Sequence, residues 1–344
     1  MIFFVLLLTL ITNCFSRGYI KYTFEPNTYN NLILPVCISK RYNCYPFLLS
    51  TAIKETLVLD GNNYMNCFIP SHSKTYEITA TTIGKNFHSY YIKGVFSYDT
   101  FFVEETDIFL KHFRFILVEK GIYMDNYYGV IGLGNEFSVL SNEGNFIDAL
   151  VNNGNIDRAV FTVSNTSIVF GTNNETYPDK EKKTQKCKIR TKGANSDLIT
   201  CEVRSAIING KEIFYNYNVS ALLKIDLERR GINVPKSFYE IIKEKIFKNY
   251  LLNETSCKEV ENSIFPTYIQ CNDEVINEIG EIDIYIFIDK WSIVYSMKEL
   301  FEGNKFMIWT IKGENEWQFG HFMRDRFTMT VDQKDNLIYF INRN

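Results

Sequence analysis

Glu281-Ile282-Asp283-Ile284-Tyr285-Ile286-Phe287-Ile288-Asp289 alternates strictly, with Ile282, Ile284, Ile286 and Ile288 on one side and Asp283, Tyr285 and Phe287 on the other. Successive side chains of a strand point to opposite faces, so this period of two is a strand with one face in a core. Outward from it, short apolar runs at residues 56–59, 90–96, 113–118 and 161–170 stand between turns rich in Asn, Gly and Ser. Helical spacing is clearest at 145–152 and 237–247, the second with Phe238, Ile241, Ile242 and Ile246 on one face. That balance predicts a mostly β protein.

With 344 residues, 46% hydrophobic and 22% charged, the chain has the composition of globular material and room for two lobes. Disordered and fibrous classes are excluded. A net charge of −3 gives no electrostatic reason to expect nucleic acid or an anionic membrane as partner. Residues 2–11 are apolar, and Cys14 and Ser16 supply small residues at the −3 and −1 positions of a cleavage site, so residues 1–16 read as a secretory signal peptide. The run is about half the length needed to span a bilayer. No stable membrane span is expected after cleavage, and the protein is expected to be secreted.

Four sequons, at Asn165, Asn174, Asn218 and Asn253, are glycosylation candidates in that compartment. Beyond the leader stand Cys37, Cys44, Cys67, Cys187, Cys201, Cys257 and Cys271, with no Cys-x-x-Cys pair, and the four histidines (His72, His88, His112, His321) are scattered. No metal site and no cofactor follow from this set; disulfides do, with one thiol left over. Proximity alone pairs Cys37 with Cys44 and Cys187 with Cys201. The polar run Tyr177-Pro178-Asp179-Lys180-Glu181-Lys182-Lys183-Thr184 reads as a solvated linker.

Several segments in order resemble the pepsin-like aspartic peptidase family, and together they cover nearly all of the chain after about residue 45. Leu48-Leu49-Ser50-Thr51-Ala52 stands where the family has an Ile-Gly-Thr-Pro turn, and Thr56-Leu57-Val58-Leu59-Asp60 where a strand presents the first aspartate. Phe68-Ile69-Pro70 resembles Trp-Val-Pro, and Gly94-Val95-Phe96-Ser97-Tyr98-Asp99-Thr100 the strand after the flap. Tyr128-Gly129-Val130-Ile131-Gly132-Leu133-Gly134 is similar to the Asp-Gly-Ile-Leu-Gly-Leu strand of the ψ-loop, where a Cβ at Gly132 crowds the active-site loop threaded past it. Phe146-Ile147-Asp148-Ala149-Leu150 and Ile168-Val169-Phe170-Gly171 continue the likeness.

The second half repeats the plan. Ile208-Asn209-Gly210 resembles the hairpin before the second aspartate, Pro235 falls nine residues after Asp226 as in the family, and Trp317-Gln318-Phe319-Gly320 looks like the second ψ-strand. Arg326-Phe327-Thr328-Met329-Thr330-Val331-Asp332 resembles the closing strand, and Cys257 with Cys271 the family's C-lobe disulfide. The resemblance implies a bilobal fold of two β lobes with pseudo-two-fold symmetry and a central cleft. The lobes are expected at 17–176 and 187–344, joined by a linker at 177–186, with Gly132 and Gly320 in matching places.

Such an enzyme activates water between two carboxylates that share a proton, pepsin being a standard illustration. The resemblance puts Asp60 and Asp226 in the catalytic positions, yet neither keeps the family's Asp-Thr-Gly. Leu227, Glu228 and Arg229 follow Asp226. Leu227 has no hydroxyl for the cross-lobe hydrogen bond, Glu228 adds a Cβ and a carboxylate where the turn is tightest, and Arg229 is placed to pair with Asp226. In the first half, anchoring on Pro70 puts Gly61 in the aspartate slot, while keeping Asp60 there needs one inserted residue. Phe87 stands at the flap tyrosine's position without its hydroxyl. Cleavage near Ser16 leaves about 44 residues before Asp60, too few for a usual inhibitory prosegment.

Three functions compete. The first is a secreted, monomeric, non-catalytic homologue that binds a peptide, protein or glycan through the retained cleft or surface. The second is an active aspartic endopeptidase with a divergent Asp60/Asp226 dyad, and the third a structural surface glycoprotein.

Overall fold

The computed structural model describes residues 18–24, 32–42, 44–87, 90–121, 127–134, 145–173, 184–190, 199–228, 230–253, 255–261, 267–310 and 316–342. The leader at 1–16, Asn174, Arg229 and residues 177–183 of the expected linker lie outside them. The protein is predominantly β, as expected, and divides into two compact units. Unit 1 runs to Lys186 and takes up the chain again from Phe327; unit 2 begins at Cys187 and ends at Arg326.

Unit 1 begins with β1 (Tyr19–Thr23), β2 (Ile33–Ile38), β3 (Cys44–Ser50), β4 (Leu57–Leu59), β5 (Glu77–Phe87), β6 (Tyr90–Val103), β7 (Phe109–Lys120) and β8 (Gly129–Gly132). Helix α1 (Phe146–Asn152), β9 (Val160–Val163) and β10 (Ser167–Gly171) follow. Strands β2 to β8 form one seven-stranded sheet in the order β2-β3-β8-β4-β7-β6-β5, with β2 also paired to β6. Its core holds Ile53, Leu57, Leu59, Ile92, Ile116, Val118 and Val130. Phe47, Phe101, Phe113 and Phe115 pack edge to face or tilted nearby, a geometry that suits the ring quadrupole.

Residues 161–170, expected as one strand, form the hairpin β9–β10. The Ser164 hydroxyl accepts from the N–H groups of Thr166 (3.2 Å) and Ser167 (2.9 Å), closing a tight turn that ends the first strand. Helix α1 matches the expected 145–152, and its start is a reciprocal cap. The Asn145 side chain accepts from Asp148 N–H (3.0 Å) while the Asp148 carboxylate accepts from Asn145 N–H (3.2 Å).

After β11 (Gln185–Lys188) crosses the unit boundary, unit 2 holds β12 (Thr200–Asn209), β13 (Phe214–Ile225), β14 (Ile232–Asn233), helix α2 (Lys236–Ile242), a π-turn (Lys243–Phe247) and α3 (Lys248–Leu251). It continues through β15 (Cys257–Val260), β16 (Tyr268–Cys271), α4 (Asp273–Ile279), β17 (Asp283–Ile288), β18 (Trp291–Ser296), β19 (Phe301–Glu302), β20 (Lys305–Phe306), β21 (Ile308–Trp309), β22 (Trp317–Phe319) and α5 (His321–Arg326). The larger sheet runs β18-β17-β12-β13-β22-β14-β21 and the smaller β15-β16-β20-β19. In β17, Ile284, Ile286 and Ile288 are buried and their neighbours half-buried, the alternation that the sequence shows. The π-turn continues α2 through the expected 237–247 segment, with Phe238, Ile242 and Ile246 buried.

The chain then returns to unit 1 with β23 (Phe327–Asp332) and β24 (Leu337–Asn342), in the order β1-β10-β9-β23-β24. The sequence reading placed 327–344 in the second lobe. Instead β23 pairs antiparallel with β9, Met329 against Val163 and Val331 against Phe161, and buried Thr162 and Thr330 share a 2.9 Å hydrogen bond. Burial of both faces of this strand pair, the apolar one and the one carrying Thr162 and Thr330, holds the terminus in the first unit.

Cys37–Cys44, Cys187–Cys201 and Cys257–Cys271 are bonded and Cys67 is a buried free thiol, as the sequence led us to expect. Each bridge lies within one unit, and a loop of about 15 residues gains on the order of 3 kcal/mol from such closure. Among the described residues no helix is long and apolar enough to cross a membrane.

Candidate functional site

Asp60 leaves β4 and is 7% exposed. Its N–H donates to Val118 O (3.1 Å), and the next N–H, from Gly61, donates to Phe68 O (2.7 Å). The carboxylate is taken up by its own loop. Oδ1 accepts from Asn62 N–H (3.0 Å) and Asn62 Nδ2 (2.9 Å), and Oδ2 accepts from Asn63 Nδ2 (2.9 Å). The Asp60 carbonyl also accepts from the N–H groups of Asn63 and Tyr64, both at 2.9 Å. This is an Asp closing a turn over its own backbone.

Gly61 is the residue that lets this loop close, because a Cβ there would stand 2.6 Å from Cys67 O and 2.7 Å from Ile69 Cγ1. Burial first, then the Asp60 charge, push the Cys67 thiol up to about 11, so it stays protonated beside the loop.

Asp226 follows β13 in unit 2, is 4% exposed, and donates its N–H to Phe319 O (2.8 Å). Its Oδ1 accepts from Glu228 N–H at 3.3 Å. Leu227 is buried, and both carboxylate oxygens of Glu228 are shut off from solvent. The residues after Asp226 therefore give the turn an apolar side chain and a second buried acid.

The two aspartates end strands of opposite sense. Strand β13 runs parallel to β22, whereas β4 runs antiparallel to β8. Asp60 is therefore not the strand-for-strand counterpart of Asp226 that the resemblance implied. Gly132 ends β8, where a Cβ would lie 2.4 Å from Lys54 C, Lys54 O and Glu55 O; the loop that crowds it is the one before β4, not the Asp60 loop. Gly320 follows β22 and is buried. Phe87 closes the β5–β6 hairpin, paired with Tyr90. Its side chain is outside the described residues.

The sequence reading passed over His321, the first residue of α5, because a lone histidine among scattered ones carries no motif. It is 4% exposed. Burial, then Arg324 and Arg230, push its imidazole down to about 3 against the opposing pull of Asp226. An unfolded histidine takes its proton below its ordinary 6.5, while the folded one stays neutral until about 3, so stability falls as pH falls through that window. We expect acidification from pH 6.5 to 4 to cost about 2–3 kcal/mol through this group. A His321→Gln variant should show a flatter pH dependence of its urea midpoint between those values; an unchanged slope would count against the buried neutral imidazole.

Of the sequon asparagines, Asn165, Asn218 and Asn253 are exposed. Asn253 Oδ1 accepts from the Thr255 hydroxyl (2.7 Å) and N–H (3.2 Å). Against models of known families, residues 53–340 match the one described as eukaryotic aspartyl protease, a span that reaches across both units. Among curated proteins none matches the chain.

Proposed function

The chain belongs to the eukaryotic aspartyl protease family, and on that premise we propose that it is a non-catalytic member which binds a peptide, protein or glycan without hydrolysing it. The observation that carries this reading is that Asp60, the aspartate offered by the first half, does not match Asp226 in strand direction and has both carboxylate oxygens engaged by Asn62 and Asn63 of its own loop. Peptide hydrolysis in this family needs two carboxylates sharing one proton and one water. A carboxylate held by three donors of its own loop serves to close that loop. Leu227 and Glu228 beside Asp226 support the same reading, as does a buried His321 that makes acid pH costly.

The two-lobed, pseudo-symmetric architecture is part of this proposal. It is supported by a strand pattern common to both units: a parallel pair, an antiparallel pair and a second parallel pair, in β3-β8-β4-β7 and again in β13-β22-β14-β21. Secretion is supported by the leader-like residues 1–16, the disulfides and three exposed sequon asparagines.

The test is an assay of the purified glycosylated protein on denatured protein substrate from pH 3 to 6, beside an Asp226→Asn control. Losing one member of a concerted catalytic set lowers rates by roughly 10⁴–10⁶ in well-studied hydrolases, so the two proteins should be indistinguishable at background. Pepstatin-sensitive cleavage by the wild type that vanishes in the control would establish an active peptidase instead.

A further inference from the structure

In unit 2, β12 and β13 form a hairpin, and β13 then lies parallel to β22 with Leu223 against Trp317, Lys224 against Gln318 and Ile225 against Phe319. One step further along that register sets Asp226 against Gly320. Strand β22 is antiparallel to β14, which is parallel to β21. In unit 1, β2 and β3 form a hairpin, and β3 lies parallel to β8 with Leu48 against Val130, Leu49 against Ile131 and Ser50 against Gly132. Strand β8 is antiparallel to β4, which is parallel to β7. Strand for strand, β3 corresponds to β13. Residue for residue, Ser50 corresponds to Asp226, each set against the glycine that closes its neighbour's apolar run.

The turns agree in detail. Ala52 N–H donates to Ser50 Oγ at 3.1 Å, and Glu228 N–H donates to Asp226 Oδ1 at 3.3 Å, the same bond from the residue two places on. Ser50 and Asp226 are both buried, as are Thr51 and Leu227 after them. The loop that leaves Ser50 presses Lys54 and Glu55 against Gly132, and Gly134 N–H donates to Ile53 O (2.9 Å). Asp60 lies beyond β4, past the end of this repeated pattern.

We propose that Ser50-Thr51-Ala52, not Asp60 and its neighbours, is unit 1's counterpart of the Asp226 turn, with a hydroxyl standing where the family's chemistry requires the first carboxylate. A serine hydroxyl neither ionises nor carries a shared proton in the acid range, so one carboxylate remains where two are needed. Asp60 is a loop-closing residue. This inference rests on family membership and strand register and not on the absence of activity, so the assay above and the experiment below fail independently.

The experiment is Ser50→Asp in the full glycosylated chain, with aspartate carboxyl carbons followed by NMR from pH 2 to 8 and Asp226 assigned by its loss in Asp226→Asn. Matched carboxylates in this family share one proton and titrate as a pair. The Asp226 midpoint should therefore move by about one pH unit or more in Ser50→Asp, and stay in place in Asp60→Asn. An Asp226 titration that ignores Ser50→Asp, or that follows Asp60→Asn, overturns the assignment. If Ser50→Asp does not fold, the near-isosteric Ser50→Cys takes its place, with thiolate absorbance read with and without Asp226→Asn. A thiol matched to Asp226 as the family's carboxylates are matched should drop its midpoint by about one unit when the Asp226 charge is removed, and an unchanged midpoint overturns the assignment equally.

Discussion

Gly132→Ala should destabilise unit 1 by about 3 kcal/mol, and Gly132→Val by more. The added methyl would sit 2.4 Å from three backbone atoms of Lys54 and Glu55, and backbone cannot rotate aside as a side-chain tip can. Forcing extra carbons into such a site costs about 1–3 kcal/mol, and the upper end applies because β8 is held on both sides, by β3 and β4. For a unit of this size that is a fall in Tm of roughly 6–12 °C. Gly303→Ala is the control: that glycine has nothing within 4 Å of a Cβ, so its cost comes only from its positive φ of 59°. Thermal unfolding of both variants checks the contrast, and a Gly132→Ala protein melting with the wild type would contradict the close passage of the 54–55 loop.

The second large effect is at the end of β23. Asp332 is fully buried and accepts from Arg158 Nη2 at 2.6 Å, while the same guanidinium meets the half-exposed Asp335 at 2.6 Å. Removing one partner of a buried pair costs about 3–5 kcal/mol because the other charge is stranded; here Arg158 is 27% exposed and keeps Asp335, so about 2–3 kcal/mol is expected for Asp332→Ala. The cost also includes the lost bond from Asp335 N–H to Asp332 Oδ1 (3.0 Å), which shapes the β23–β24 turn. Asp335→Ala should cost less than about 1 kcal/mol, as exposed pairs do. Urea unfolding of the two variants measures the difference. Equal losses would mean that burial does not set the worth of this pair.

Local pattern was enough for much of the molecule. The isoleucine alternation of β17, the capped helix after Asn145, the three disulfides and the family all follow from residues close together in sequence or from motifs in order. Asp226 follows β13 and Gly132 ends β8, strand ends that an apolar run closed by Asp or Gly marks in the sequence. Two features were not legible. The C-terminal strands look like any amphipathic pair, and only their pairing with β9 assigns them to unit 1. Leu48-Leu49-Ser50 and Leu57-Val58-Leu59-Asp60 are both apolar runs closed by a polar residue, and the aspartate drew the sequence reading to the second. What separates them is direction relative to β8, parallel for β3 and antiparallel for β4. Strand direction is a relation between segments some eighty residues apart, made by hydrogen bonds that no local spacing encodes, so the sequence by itself determined that the first half holds two apolar runs closed by a polar residue, and the tertiary pairing alone decided that the one lying parallel to β8 is the run ending at Ser50.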